Sequence, residues 1–408
     1  MVPERLNAVL KNAVAELTAR GTAKGKEMVI TAIQPASEKN GPRYYIEGHG
    51  ETPFIRMNSN SYLGMSMRPE VIAAEEHGAR QFGTGPGAVR FISGTHKAHV
   101  DLEEKLARFH GKEACMLFSS AYVTTLGVLV PLASDETVCI SDELNHNCII
   151  QALRLARPQG KAVYRHNDMT DLEAKLKTWA GKARRALVVS DGVFSMRGDH
   201  VPLKEFAAVC EAYTDRFEEG LITVIDDSHG VGAFGPTGRG TEEYCGARAD
   251  LLIGTLGKAF GVNGGYAVTS RDVVDYLRQT APMYLYSNPI TVPEAKAATA
   301  ALELLNSTAG RAILDHLRAM TRRFAEGIVA CGYETIAGDH PIVPLMIRDT
   351  IKTVELVRFL TDRGVLVTGL NFPVVPRGDE EIRFQINADH RPSDIDSVIG
   401  VLREFKSR

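Results

Sequence analysis

The stretch LITVIDDSHG, residues 221–230, decides the fold class of this chain. Its apolar run predicts a buried strand, which ends abruptly in Asp226, Asp227 and His229. In open α/β sheets ligands bind just beyond the carboxyl ends of the strands, so we expect a functional site here. Two acids in such a place are costly unless a cation meets them. The alternative is that the two acids only cap the next helix.

A second stretch, LLIGTLGKAFG at residues 251–261, has the same form. An apolar strand ends in Thr255, and Lys258 follows among small and apolar residues. Because burial disfavours the charged ammonium, we expect a lowered pKa for Lys258, which suits a nucleophile that forms a Schiff base. The alternative is an ordinary surface lysine. The spacing of Gly254, Gly257 and Lys258 does not fit a nucleotide-binding P-loop.

Taken together, the two stretches indicate a pyridoxal phosphate (PLP) site. The carboxylate of Asp226 would pair with the protonated pyridine nitrogen, which keeps the ring an electron sink. The amine of Lys258 would hold the aldehyde carbon. The hydroxyl of Thr255 is placed to donate to the phosphate. These residue types at the ends of successive strands therefore predict PLP as the cofactor.

Around these two stretches, apolar strand-like runs alternate with amphipathic helical runs. This alternation predicts an α/β fold with a mainly parallel sheet. The predicted strands are Ala114–Phe118, Thr137–Ile140, Ala186–Val189, Leu221–Ile225 and Leu251–Gly254, and the predicted helices between them include Leu102–Phe109 and Met169–Trp179.

The last third of the chain has a different pattern, in which long helices precede short strands. It predicts a second, smaller α+β domain that begins near residue 290. The predicted elements are helices at Ala295–Leu305 and Ala312–Ala330 and strands near Ile342–Ile347, Val365–Thr368 and Ile382–Ile386. Ser393, with Asp396 three residues later, predicts a capping box at the start of the final helix.

The composition is that of an ordinary globular protein, with 408 residues of which 44% are hydrophobic and 24% are charged. A net charge of −3 gives no reason to expect a nucleic-acid partner. The six cysteines form no metal-binding pattern, so we expect reduced thiols and no metal site. Polar residues, glycine and proline interrupt the uncharged stretch Cys115–Ala133, so no membrane partner is predicted. The N-terminus has no signal-peptide pattern, and we expect a cytoplasmic protein.

Eight motifs carry a resemblance to a known family. They are NSNSYLG (58–64), VRFISGTHKAHVDLEEKLARFHGKE (89–113), SDELNHNCII (141–150), SDGVFSMRGD (190–199), DDSHGVGAFGPTGRG (226–240), GTLGKAFGVNGGYA (254–267), YLYSNP (284–289) and FPVVPRG (372–378). Through them the chain resembles the α-oxoamine synthase family of PLP-dependent acyltransferases, whose motifs run in the same order.

The resemblance implies both the fold and the reaction. It implies PLP-dependent transferase fold type I, with a mainly parallel, seven-stranded sheet in the large domain and a smaller α+β C-terminal domain. The implied units are an N-terminal helix and arm at 1–54 that pack on the small domain, a PLP-binding domain at 55–290 and a small domain at 291–408. The implied reaction is a Claisen-type condensation of an amino acid, with glycine favoured, with a short acyl-CoA such as acetyl-CoA, which frees CoA.

The resemblance also implies roles for the residues around the cofactor ring. Lys258 carries PLP as a Schiff base and later moves the substrate proton, and Asp226 pairs with the pyridine nitrogen. His229 hydrogen-bonds the phenolic oxygen of the ring, as Ser195 also does. His146 stacks on the face of the ring. Plainer alternatives are a helix start for His146, a structural role for His229 and a turn for Ser195.

A further group of residues is implied to hold the phosphate of the cofactor. The backbone amides of Ala121 and Tyr122 bind it together with the hydroxyl of Thr255. Ser287 and Asn288 reach it from the partner subunit, which implies a homodimer with shared active sites. The alternative for Ser287 and Asn288 is a plain turn before a proline.

The substrate carboxylate is implied to bind Arg383 in a bidentate fork, with Asn60 nearby. Because Arg383 alternates with Ile382 and Phe384 in a strand pattern, the alternative is that its side chain faces solvent.

Several positions near the expected substrate site depart from the family's pattern. They are Ser61, Pro86, Val123–Thr125, Arg197, which stands in place of an aspartate, and Glu381, which stands in place of an arginine. None of these departures removes a catalytic group. They leave the substrates open, so alanine or serine and a longer acyl thioester, carried by CoA or by an acyl carrier protein, are the alternatives to glycine and acetyl-CoA.

Three other classes of protein compete with this interpretation. An aminotransferase would use the same Lys258 and Asp226 but would need no thioester. A regulatory or scaffold subunit that has kept the fold often lacks the Schiff-base lysine, which is present here. A Rossmann dehydrogenase is disfavoured because no intact GxGxxG follows the first strand.

Overall fold

The computed structural model of the chain describes residues 2–20, 22–23, 25–372 and 374–408. Pro373 of the FPVVPRG motif lies outside the described residues. The helices are α1 (Glu4–Ala19), α2 (Pro69–Phe82), α3 (Lys97–His110), α4 (Ala121–Leu132), α5 (Asn147–Ala156), α6 (Met169–Trp179), α7 (Leu203–Glu211), α8 (Thr241–Cys245), α9 (Arg271–Thr280), α10 (Pro282–Leu285), α11 (Val292–Leu305), α12 (Thr308–Ala330), α13 (Thr350–Thr361) and α14 (Pro392–Lys406).

The strands alternate with these helices through the middle of the chain and follow the long helices near its end. They are β1 (Ile30–Gln34), β2 (Arg43–Ile46), β3 (Ile55–Arg56), β4 (Ala114–Phe118), β5 (Thr137–Asp142), β6 (Gly160–Tyr164), β7 (Arg185–Asp191), β8 (Leu221–Asp226), β9 (Leu251–Thr255), β10 (Gly265–Thr269), β11 (Glu334–Thr335), β12 (Ile342–Met346), β13 (Val365–Leu366), β14 (Thr368–Leu370) and β15 (Glu381–Gln385).

Among the described residues, the largest sheet has seven strands in the order β4-β10-β9-β8-β7-β5-β6. β10 runs antiparallel to both of its neighbours, and the remaining neighbouring pairs are parallel. The predicted fold class, with a mainly parallel seven-stranded sheet, is therefore confirmed. β4 and β5 are buried along their whole length because helices cover both faces of the sheet.

Two of the seven strands were not predicted, namely β6 and β10. β6 lies at the edge of the sheet, where Lys161 and Val163 are exposed. Lys161 leaves only a short apolar run in this strand. β10 begins at Gly265, directly after another glycine, and this pair is typical of a turn.

Parallel strands bring their carboxyl ends to one edge of the sheet, and acidic residues stand at three of these ends. β5 ends at Asp142, β7 at Asp191 and β8 at Asp226. Lys258 follows β9, on the connection that turns back into β10. This edge therefore collects the ionisable groups that the sequence singled out.

The C-terminal part of the chain contains a four-stranded sheet in the order β11-β12-β15-β14, whose neighbouring strands are all antiparallel. On β15, Ile382 and Phe384 are buried in the core, and the Phe384 ring lies 4.8 Å from that of Phe324 on α12. Because side chains alternate along a strand, Glu381, Arg383 and Gln385 point to the opposite face.

The predicted capping box at Ser393 and Asp396 is wrong. The carboxylate of Asp394 instead accepts hydrogen bonds from the amides of Arg391, at 2.7 Å, and of Gly41, at 2.8 Å. Arg43 also pairs with Asp394, at 2.6 Å. The helix start is thus fixed by the N-terminal arm, a contact across more than 350 positions that no local pattern can reveal.

The N-terminal arm also carries an exposed amphipathic helix. No residue of α1 is buried, although its apolar residues follow a helical stripe. Within the described residues, no helix combines the length and the apolar character that a membrane span requires. The predicted unit boundaries at residues 54 and 290 stay predictions. β3 pairs with β13 across the boundary at 290.

Candidate active site

A cleft opens at the carboxyl edge of the large sheet. The structure brings seven of the predicted site residues to its walls. They are Ala121, Tyr122, His146, Ser195, Asp226, His229 and Lys258. These residues come from six separate connections and strand ends, so the fold and not the local sequence collects them.

The carboxylate of Asp226 is buried and held by several donors. The hydroxyl of Ser228 donates to Oδ1 at 2.5 Å, and the Ser228 amide donates to the same oxygen at 3.2 Å. The Thr125 hydroxyl donates to Oδ2 at 3.1 Å, and the Cys148 thiol lies 3.6 Å from it. These hydrogen bonds fix the direction of the carboxylate.

Asp227, the next residue, faces away from the cleft. Its carboxylate accepts hydrogen bonds from the amide of Thr241, at 2.7 Å, and from the Thr241 hydroxyl, at 2.6 Å. Burial raises the pKa of Asp227 to about 7, although these hydrogen bonds oppose the rise. The alternative that the acids serve the next helix therefore holds for Asp227, because Thr241 is the first residue of α8.

Lys258 is half-buried at the bottom of the cleft. Burial lowers the pKa of Lys258 to about 8, although the charges of Asp226 and Asp191 oppose this effect. Arg383 lowers the pKa of the amine further. A large fraction of the neutral amine is therefore available near physiological pH, as a nucleophile requires.

His229 is buried next to Tyr62. The Tyr62 hydroxyl lies 2.8 Å from Nδ1 of His229, and burial raises the pKa of Tyr62, so the phenol keeps its proton. Burial and the positive charge of Lys258 hold the pKa of His229 well below its usual range. The neutral ring carries one proton, and in the tautomer that holds it on Nε2 this nitrogen can donate a hydrogen bond into the cleft.

His146 both starts a helix and lines the cleft. Its Nδ1 accepts a hydrogen bond from the Cys148 amide at 3.3 Å, which caps α5. Its own amide donates to Asp191 at 3.0 Å. Burial lowers the pKa of His146, which leaves the ring mostly neutral. The helix-start alternative and the cleft position are therefore compatible.

Ala121 and Tyr122 form the first turn of α4, whose N-terminus points at the cleft. The first amides of a helix have no partner within the helix and bind anions well. The Ser120 hydroxyl caps the turn by accepting from the Val123 amide at 3.2 Å. The start of α4 packs closely against β10 at Gly265, where a Cβ would collide with the Ala121 backbone.

Thr255 does not line the cleft in this structure. Its hydroxyl donates to the Gly264 carbonyl at 3.3 Å and accepts from the Gly257 amide at 3.1 Å. These bonds shape the connection that carries Lys258. The predicted phosphate contact of Thr255 therefore stays a prediction.

Arg383 and Asn60 adjoin the cleft. The guanidinium of Arg383 donates from Nη1 to the Ser195 carbonyl at 2.8 Å. The Gln385 side chain accepts from Nη2 of Arg383 at 2.6 Å in the orientation in which its amide donates to Met57. Asn60 accepts from the Tyr62 hydroxyl at 3.4 Å. The alternative of a solvent-facing Arg383 does not fit these contacts.

Ser287 and Asn288 lie outside the cleft of their own chain. They stand in the segment between α10 and α11, beside Tyr286, which is 78% exposed. Ser287 makes only a long contact, at 3.5 Å, with the Asn288 carbonyl. Their predicted contact with the phosphate site of a partner subunit stays a prediction.

Five residues around the cleft were missed by sequence reasoning. They are Tyr62, Thr125, Cys148, Asp191 and Ser228. Asp191 ends a strand as Asp226 does, and that signal could have found it. The others contact Asp226 or His229 directly in the folded chain. The sequence does not distinguish them from the many other residues of the same types.

Within the part of the chain that the structure describes, no group of ionisable residues is arranged to hold a metal ion.

Comparisons with known proteins agree with this architecture. The family described as aminotransferase class I and II matches residues 52–402. The mitochondrial 2-amino-3-ketobutyrate coenzyme A ligase of Bos taurus is 39% identical over 97% of this chain and 91% of its own. An 8-amino-7-oxononanoate synthase of Thermosipho melanesiensis is 37% identical over 91% of this chain and 92% of its own.

A solved structure extends the comparison to the fold. Serine palmitoyltransferase of S. paucimobilis, with bound PLP and myriocin, superposes with a TM-score of 0.85 and 26% identity. The match covers 97% of this chain and 96% of that one. The chain therefore has PLP-dependent transferase fold type I and belongs to the aminotransferase class I and II family, within its α-oxoamine synthase branch.

Proposed function

We propose that this protein is a PLP-dependent C-acyltransferase that joins glycine to a short acyl-CoA such as acetyl-CoA. The observation that carries the proposal is the placing of Lys258, with its lowered pKa, in one cleft with Asp226, His146 and His229. The name of the bovine relative supports a product of the 2-amino-3-ketobutyrate type.

The residues present fit PLP group by group. The ionised Asp226 suits a protonated ring nitrogen, and Lys258 suits the aldehyde. The Nε2 proton of His229 suits the phenolic oxygen, and the free amides of Ala121 and Tyr122 suit the phosphate.

When bound, PLP supplies an electron sink that stabilises negative charge on the α-carbon of an amino acid. The protein supplies the remaining parts of the chemistry. The neutral amine of Lys258 removes the α-proton, and its pKa of about 8 suits both accepting and returning a proton near neutral pH. Asp226, fixed by Ser228 and Thr125, keeps its negative charge pointed at the cleft.

Substrate binding is assigned to Arg383, together with Ser195 and Asn60. The guanidinium of Arg383 donates a hydrogen bond to the Ser195 carbonyl. The protein therefore orients this side chain before a substrate carboxylate binds. In the overall reaction a carbon–carbon bond forms between the α-carbon and the acyl carbonyl. The carbon–sulfur bond breaks, and CoA leaves as the free thiol.

The exposed segment at Tyr286, Ser287 and Asn288 supports a homodimer. We propose that this segment completes the phosphate site of the partner subunit, as its lack of a role within one chain suggests. A cytoplasmic location remains our prediction from the sequence.

A second candidate is an α-oxoamine synthase with another substrate pair. The similarity to 8-amino-7-oxononanoate synthase, and the departures at Val123–Thr125, Arg197 and Glu381, favour this candidate over an aminotransferase. It would use alanine or serine, or a longer acyl thioester on CoA or on a carrier protein.

A matrix of amino acids against acyl thioesters tests the proposal, with thiol release and product mass as the measurements. We expect glycine with acetyl-CoA to give the highest kcat/KM. Turnover confined to serine, alanine or a long acyl chain would support the second candidate. Transfer of the amino group to a keto acid without thiol release would instead indicate an aminotransferase.

A further inference from the structure

A histidine outside the cleft stands between two carboxylates. His166 lies half-buried in the turn between β6 and α6. Its Nδ1 is 3.1 Å from Oδ1 of Asp142, and its Nε2 is 3.2 Å from Oδ2 of Asp199. An ionised carboxylate only accepts hydrogen bonds, so a ring that donates to both carboxylates is the doubly protonated imidazolium. The side-chain nitrogen of Asn167 also lies 3.3 Å from Nε2, farther than Asp199.

The two carboxylates belong to the two loops that flank the cleft. Asp142 ends β5, and the loop that follows it carries His146; Asp142 also accepts from the amides of Leu144, at 2.8 Å, and Asn167, at 2.9 Å. Asp199 lies in the loop at 192–200, which carries Ser195. The imidazolium therefore joins one wall of the cleft to another.

The loop at 192–200 in turn contacts the C-terminal sheet. Its Ser195 carbonyl accepts from Arg383 at 2.8 Å. Gly198, with a φ of +71°, packs against the start of β12, where a Cβ would meet the Ile342 carbonyl at 2.6 Å. The ring of Phe194 packs edge-on against His166, with centroids 4.4 Å apart. A shift of Asp199 would therefore reach Arg383 through a short, closely packed segment.

We propose that His166 is a positioning residue, whose imidazolium ties the Ser195 loop to the His146 loop and thereby sets the place of Arg383 for the amino-acid carboxylate. Its kinetic consequence rests on the proposed function, whereas the tie itself does not. His166 contacts neither the cleft nor any reacting group, and it acts through the two loops.

The charged groups in direct contact with the His166 ring are carboxylates, which favour the charged ring. Asp142 faces it from β5, and Asp199 faces it from the 192–200 loop. Arg197 donates to Asp199 from Nε at 2.8 Å, and this arginine stands where the family's pattern has an aspartate. On its own turn, the backbone amide of His166 donates to Glu143 at 2.8 Å, and Arg165 is exposed.

Burial alone would lower the pKa of His166, but the hydrogen bonds to Asp142 and Asp199 outweigh it and raise the pKa to about 9. Burial likewise would raise the pKa of Asp199, but His166 and Arg197 outweigh it and lower the pKa. The tie is therefore fully formed at neutral pH and is released as the pH rises through about 9.

The first experiment observes the tie without any turnover. In the full-length protein with ¹³Cε1-labelled histidine, one NMR signal should titrate with a midpoint near 9 and vanish in His166→Gln. His77→Gln is the matched control, because His77 is exposed on α2, away from the cleft. A neutral His166 at pH 7 would overturn the tie, whatever reaction the protein performs.

The second experiment measures what the tie does. We expect His166→Gln to raise the KM for the amino acid about tenfold, with kcat and the KM for the thioester changed less than about threefold. The ratio of the KM values of variant and wild type should fall towards one above about pH 9, where the wild type loses its own tie.

A conservative variant separates positioning from general damage to the fold. His166→Arg keeps a positive charge and more than one N–H donor, so it should restore the KM for the amino acid to within about threefold of wild type at all pH values. A KM that is unchanged in His166→Gln, or that moves equally for both substrates, would overturn the positioning role.

Discussion

Asp226 and Asp227 are neighbours in the chain, yet they serve opposite sides of the same strand end. The cleft side holds Asp226 with Lys258 and donors from distant segments, and it is open to a ligand. The rear side holds Asp227, whose two oxygens are fully used by Thr241. Successive side chains point to opposite sides at a strand end, and Thr241 holds Asp227 on the rear side, which separates a candidate catalytic carboxylate from a structural one.

The rear side is also closed by small residues. Gly192, Gly230 and Gly240 all approach the Asp227 carboxylate so closely that a Cβ on any of them would collide with it. No ligand can enter there. The comparison teaches that burial and charge together do not define a site, and that an open acceptor or donor facing a cavity is also needed.

The largest effect expected on the cleft side comes from Lys258→Ala. Removal of the amine should lower kcat by about 10³-fold or more, because both the covalent link to the cofactor and the proton-moving base are lost. Thiol release measures the activity, and circular dichroism checks the fold. Activity above one-tenth of wild type would show that Lys258 is only structural.

The matched pair Asp226→Asn and Asp227→Asn tests the comparison directly. We expect kcat to fall about 10²-fold in Asp226→Asn, since a neutral amide cannot stabilise a protonated ring nitrogen. Asp227→Asn should stay within about threefold of wild type, because asparagine can accept from the Thr241 amide and donate to the Thr241 hydroxyl. Steady-state kinetics at saturating cofactor gives both values.

The opposite result for this pair would break the comparison. Equal losses of kcat in the two variants, with unchanged melting temperatures, would mean that both carboxylates act in catalysis. Equal losses with a lowered melting temperature in both would mean that the strand end is mainly structural.

The smallest effect concerns stability on the rear side. The pKa of Asp227 is raised from an ordinary value of 3.8 to about 7, so the folded state holds this proton more tightly than the unfolded state. Its contribution to the free energy of unfolding should fall by about 1 kcal/mol per pH unit as the pH rises between these two values.

Asp227→Asn removes this titration. The free energy of unfolding of wild type minus that of the variant should therefore decrease from acidic to neutral pH, as measured by urea denaturation at several pH values. A difference that is independent of pH, or that increases, would contradict the raised pKa.

Much of the large sheet could be predicted from the sequence because its central strands are apolar on both faces. The predicted strand at Ala114–Phe118 agrees with β4, and the predicted starts of β5, β8 and β9 agree with the structure. β6 failed because an edge strand has polar and exposed positions. The start of α14 was misplaced because the capping contact runs from Asp394 to the amide of Arg391, an unusual N-cap residue, and Asp394 is also bound by the distant arm.

The site residues that could be predicted are those that directly follow the end of an apolar strand. Asp226 and Lys258 could be found in this way, since an apolar run that stops at a charge is visible in one dimension. Thr125, which supports Asp226 from 101 positions away, could not be found because the distance between them is set only by folding. The direction of Asp227 likewise depends on a threonine 14 positions later.

The return of β10 beside β9 has a consequence for how the protein assembles. A hairpin depends on contacts between residues that are close in the chain, and such contacts form early. The lysine loop between β9 and β10 can thus take shape first, while the support of Asp226 waits for segments made much earlier in synthesis. Tight binding of the cofactor would then require that the whole sheet has assembled.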